Sequence, residues 1–147
     1  MGVGEIKTMN YKKFNSKFII KIDKGEEIVE SFKKICKENN IKLGTIRGIG
    51  ATNKAEVGLF ETKTKKYHKK LFKGDHEIAS LSGNISTMKN EIYLHIHVVL
   101  GDKEHNAYAG HLSSAIVSAT FEGVIEKIDG EVEREFSEEI GLNLFKM

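Results

Sequence analysis

The chain has 147 residues, of which 39% are hydrophobic and 30% charged, and its 23 basic and 21 acidic residues leave a net charge of +2. That fits one soluble globular domain (1–147) able to bury its own core. The near-balance of charge does not announce nucleic acid, and the single cysteine, Cys36, excludes an internal disulfide framework.

Residues 1–16 are polar and lysine-rich, with little periodicity, and their start is expected to fray. Lys17 to Asp23, with Phe18, Ile19, Ile20 and Ile22, reads as a first strand. Asp23 is a candidate helix cap with Glu26 reaching back to it. Ile28, Phe32, Ile35 and Cys36 then follow at the spacing of one helical stripe, which Asn39–Asn40 ends. Cys36 on that stripe reads as an inert buried thiol.

The remainder reads mostly as strands. Lys42 to Thr52 is glycine-rich, Thr52–Lys54 is a candidate turn, and Ala55 to Thr62 alternates. Lys63 to Lys66 turns, and Tyr67 to Phe72 returns as a hairpin partner. Ile78 to Ser86 contains Gly83, a candidate bulge or close backbone approach. Met88–Asn90 turns into Glu91–Leu100, the most strongly β segment, and Gly101–Gly110 is a polar loop. Val117 to Ile128 alternates, with Val117, Ala119, Phe121 and Ile125 expected inside. Asp129–Gly130 signals a turn, and the acidic stretch Glu131–Glu139 is a candidate edge strand. One helix and about seven strands make an α+β domain whose sheet is curved and mainly antiparallel.

Residues 92–99 read Ile-Tyr-Leu-His-Ile-His-Val-Val. Alternation puts Ile92, Leu94, Ile96 and Val98 on the core face and Tyr93, His95, His97 and Val99 on the other. His95 and His97 then stand side by side, able to converge on one ion, and His111 follows after Ala109–Gly110. Three imidazoles suit zinc or a similar transition metal and leave one position open. Two histidines on an exposed strand face are equally read as plain surface residues, and the spacing alone does not decide between the two. His105 reads as solvated, and His68 and His76 receive no role. The run Gly44–Gly50 lacks the spacing of a phosphate-binding loop. Arg47 within it is a candidate for binding an anion or an acidic partner. Ser113–Ser114 have no nucleophile elbow. Six lysines from Lys63 to Lys73 form a solvated hairpin or a phosphate-contacting patch.

Several blocks resemble the PPC (plant and prokaryote conserved, DUF296) domain. They are Gly48–Ala51, Ala55–Phe60, Glu77–Ile85, Leu94–Leu100 and Ala109–Leu112, and the resemblance runs from about Phe18 to Ile128. It implies a mainly antiparallel α/β fold, assembly as a homotrimer, and zinc on three motif histidines, which match His95, His97 and His111. In plants the domain follows an AT-hook in nuclear DNA-binding proteins. Here there is no Pro and no Arg-Gly-Arg, so that element is excluded. A cupin, with its own His-x-His pair, fits less well.

The resulting expectation is a stand-alone metal-binding assembly module with an unidentified small molecule or protein as partner. The alternative is a zinc-dependent hydrolase or lyase acting on a small anion. In that case Arg47 is the candidate for holding the substrate and Glu122 or Glu56 for moving a proton. Ligation through neutral imidazole is expected to weaken as pH falls toward ~6. No apolar run nears the ~20 residues of a membrane span, and the first residues lack signal-peptide order. Both point to a cytoplasmic protein.

Overall fold

A computed structural model describes residues 10–147. The expected fraying of the first residues lies outside that range. Strands β1 (Asn10–Phe14) and β2 (Lys17–Asp23) form a hairpin about Asn15, whose φ is 55°. β1 falls where little structure is expected from sequence. Its side chains are mostly exposed, so no apolar alternation marks it, and only Tyr11 packs inward, 6.0 Å from the Phe18 ring. In β2 the alternation holds: Phe18, Ile20 and Ile22 are buried, while Ile19 faces out.

Helix α1 (Ile28–Glu38) buries the expected stripe of Ile28, Phe32, Ile35 and Cys36 completely. Phe32 meets Phe121 edge-on at 5.7 Å. The cap differs from expectation. Glu26 does reach back to the Asp23 N–H at 2.8 Å, but Gly25 (φ 91°) turns the chain there and the helix starts later. Glu27 is the cap. Its carboxylate accepts from the N–H groups of Val29 and Glu30, and also from Ala115 on a strand beneath, each at 2.9 Å.

Four long strands follow: β3 (Gly44–Glu61), β4 (Lys66–Met88), β5 (Glu91–Gly101) and β6 (Ala107–Lys127). The candidate turn at Thr52–Lys54 is an irregularity inside β3, where the ladders to both neighbours shift register. Thr52 is buried there; its hydroxyl donates to the Ile116 carbonyl at 2.7 Å and accepts from the Lys54 N–H. Ladder bonds on both sides hold the strand through local turn chemistry. The two strands expected within 67–86 are likewise one, β4. Gly83 is a close approach, since a Cβ there would lie 2.5 Å from the His95 carbonyl oxygen. Lys89 and Asn90 both have positive φ, as a tight two-residue hairpin requires. Ala119 is exposed rather than inside. Residues 117 and 121 of β6 face residues 52 and 50 of β3, so two extra residues bulge out around Ala119.

The sheet order is β1-β2-β6-β3-β4-β5, all antiparallel, and β5 also pairs with β6. The far end of β6 pairs with β2 and its near end with β5. The sheet therefore curls into a partial barrel, filled by the core and covered by α1. Eight strands and one helix, among the described residues, make the expected α+β domain with a mainly antiparallel curved sheet. The acidic stretch does contain a strand, but not on the main sheet. β7 (Arg134–Ser137) pairs with β8 (Leu142–Phe145) as a separate hairpin. It is tied to the end of β4 by a bridge from Thr87 to Glu133. Among the described residues no helix is long and apolar enough to cross a membrane.

Candidate metal centre

The pairing that closes the curl also builds the site. β5 and β6 are joined by five antiparallel residue pairs, and the first is His97 opposite His111. His95 lies two residues back on the same face of β5. One nitrogen from each of the three imidazoles lies within 4.8 Å of the other two. The Nε2 atoms of His95 and His97 are 3.1 Å apart. Two nitrogens bound at ~2.05 Å to one tetrahedral ion would be ~3.3 Å apart, so the donors fit a single ion with small adjustments.

The backbone around them is close-packed for a reason. A Cβ at Gly110 would lie 2.5 Å from the Gly58 carbonyl oxygen, so only glycine lets β6 approach β3 beside His111. Gly58 in turn leaves room for the Tyr67 ring, which meets His111 edge-on at 6.0 Å.

Burial, the nearby His97 and Arg134 charges, and His111 push His95 down to about 4. Burial and the His97 charge also lower His111. Both imidazoles are therefore neutral near pH 7, which is the ligating form.

The triad forms part of a cavity of about 640 Å³. Tyr67 and Tyr93 line it, and the C-terminal hairpin supplies one wall through Arg134, Leu142, Asn143 and Leu144. Alternation along β5 predicts Tyr93 on this face. No sequence pattern predicts Arg134 or any residue of β8 there. The one available signal was a lone arginine inside an acidic run, and nothing local says where such a segment docks.

Arg47 and Glu122 are not brought to the histidines. They line a second cavity of about 760 Å³ with Lys12, Ile19, Lys21 and Ile49, and the two cavities share no residue. Glu56 does not line the histidine cavity and pairs with Lys69 at 3.4 Å. Ser113 lies 3.4 Å from the Tyr67 hydroxyl, with no imidazole bonded to it among the described residues. Cys36 is fully buried, and burial pushes its thiol up to about 12, so it is inert. In the lysine hairpin, Lys69 is paired, Lys70 lies over the Phe72 ring at 5.0 Å, and Lys65 bonds the Glu139 carbonyl.

Similar proteins agree with this architecture. A crystal structure of a candidate DNA-binding protein from Bacteroides thetaiotaomicron is 39% identical, with a TM-score of 0.92 over 95% of this chain and 97% of that one. A metal-containing protein from Archaeoglobus fulgidus is 33% identical, with a TM-score of 0.84 over 97% and 100% of the two chains. A plant- and prokaryote-conserved protein from Pyrococcus horikoshii is 28% identical, with a TM-score of 0.82 over 100% and 98%. No curated protein matches the sequence. The family model for the Plants and Prokaryotes Conserved (PCC) domain matches residues 9–129. With the His-x-His strand and its third histidine on that fold, the chain belongs to the Plants and Prokaryotes Conserved domain family.

Proposed function

We propose that the protein is a zinc-binding member of its family that works as a homotrimeric assembly module, with His95, His97 and His111 as the ligands. The observation that carries the metal reading is the convergence of three imidazole nitrogens within 4.8 Å. The donor set, nitrogen only and uncharged, is one that zinc accepts readily. The metal-containing relative from Archaeoglobus supports it. Cobalt(II) titration of the metal-free protein tests it. One equivalent should bring up intense visible bands of low-coordinate cobalt, absent in His111→Ala. Bands of equal strength in that variant would overturn the ligand set.

For the trimer, support comes from the second cavity. Its apolar Ile19 and Ile49 are 48% and 59% exposed, more than a solitary surface favours at one place. Lys12, Lys21, Arg47 and Glu122 rim it with both charge signs, which could pair with a different patch of the next subunit in the head-to-tail contact that closes a ring of three. In this reading Arg47 and Glu122 bind a neighbouring subunit or a ligand lodged between subunits.

A second reading, a zinc-dependent hydrolase or lyase, is favoured by the open cavity beside the triad. A bound divalent ion would supply Lewis-acid polarisation of a carbonyl or phosphoryl oxygen. Tyr67 and Tyr93 would then orient the substrate, and the Leu142 and Leu144 wall would limit water.

The relatives called DNA-binding keep nucleic acid in view as a partner. The route would be the exposed lysines of 63–73, with affinity that falls steeply as salt rises.

A further inference from the structure

We propose that the histidine cavity selects a small oxyanion, a carboxylate or phosphoryl group, and that Arg134 on the C-terminal hairpin is the residue that binds it. The proposal rests on the metal reading above and assigns the ligand class of that same site. It also moves the anion-binding role from Arg47 to Arg134.

Four observations carry it. The first is position. Asn84 and Ser86 of β4 stand opposite His95 and Tyr93 of β5. Arg134 donates to the Asn84 Oδ1 and the Ser86 Oγ, both at 2.7 Å, and lines the cavity. Its charge is close enough to be felt at His95.

The second is an unbalanced charge. Arg134 is only 8% exposed. Its three bonds go to Asn84, Ser86 and the Asn143 carbonyl, all neutral. Among the described residues no carboxylate lies within ion-pair distance of it. A buried charge without a counter-charge is costly, and an incoming anion would offset that cost.

The third is spare donor capacity. A guanidinium has five N–H groups, and among the described residues three are engaged. Stacking on Tyr93 and Phe145, at 4.8 and 4.4 Å, fixes its plane. A fixed planar fork is the geometry that suits a carboxylate or phosphoryl group.

The fourth is the sign of the whole cavity. Among the described residues no aspartate or glutamate lines it. With a divalent ion held by the three imidazoles, Arg134 would make the cavity strongly positive. Leu59, Leu142 and Leu144 add apolar walls, which suit a short hydrocarbon attached to the anion. Arg134 lies outside the residues that the family model matches, so the selectivity is carried by the C-terminal hairpin rather than by the matched domain.

The test uses the full-length zinc-loaded protein with butyrate and methylphosphonate as probes. The chain has only two arginines, so its Nε–H region in a nitrogen-15 correlation spectrum holds two signals, which Arg47→Lys assigns. We expect the Arg134 signal to move on titration with at least one probe while the Arg47 signal stays. Whichever probe binds tighter identifies the class. Calorimetry on Arg134→Gln should show affinity reduced about tenfold or more with zinc stoichiometry unchanged. Arg134→Lys should recover part of the loss. A stationary Arg134 signal with zinc bound would overturn the oxyanion site and leave the metal reading intact. Failure of the wild type to take up zinc would overturn the metal reading itself. The wild-type spectrum decides the matter even if Arg134→Gln loosens the hairpin.

Discussion

His95 is a half-buried imidazole held neutral, and this has a signed effect on stability. Its ordinary value of 6.5 falls to about 4 in the folded chain. As pH drops below 6.5 the unfolded chain therefore takes up a proton before the folded one does. The contribution of neutral His95 is intact above ~6.5 and is lost as pH falls toward 4. Metal-free protein should thus melt at progressively lower temperature between pH 6.5 and 4, less steeply in His95→Ala. Thermal scans in this window check it. The same lowering at His95 and His111 weakens proton competition at these two ligands relative to free imidazole. Gly110 provides a second test at this scale. Gly110→Ala puts a Cβ 2.5 Å from the Gly58 carbonyl, against backbone that cannot move cheaply. It should cost about 1–3 kcal/mol in urea unfolding, the range of core overpacking, and weaken metal binding through the adjacent His111.

At the scale of elements, the helix and the histidine strand were legible because each carries its own period. Ile28, Phe32, Ile35 and Cys36 mark a helical face, and Ile96 and Val98 mark a buried strand face. The missed features depend on partners distant in sequence. Nothing near Thr52 shows that Ile116 will accept from its hydroxyl, and nothing near Glu27 shows that Ala115 will donate to it. The β1 strand and the β7–β8 hairpin were obscured because their side chains are largely exposed and give no clean alternation. Glu27 makes the testable case. Its carboxylate caps α1 and pins the helix to β6, so Glu27→Ala should cost about 1–2 kcal/mol. Denaturant midpoints will read this, with the metal stoichiometry unchanged.

For the molecule as a whole, curling the sheet does two things at once. It brings His111 against His97 across the closing pair, and it leaves the outer face at Ile19 and Ile49 uncovered. The half of the site on β5 was visible in sequence. The Arg134 wall was not, because docking a C-terminal hairpin on a distant sheet leaves no local pattern. If the uncovered face joins subunits, Ile49→Lys should convert a trimer to a monomer, measured by light scattering after gel filtration. A trimer mass that persists would place the interface elsewhere.

The central claim is that these three histidines hold a metal ion. Elemental mass spectrometry of tag-free protein beside His95→Ala tests it most directly. The account predicts near-stoichiometric zinc in the wild type and its loss in the variant. No metal in either protein, or equal metal in both, would contradict it.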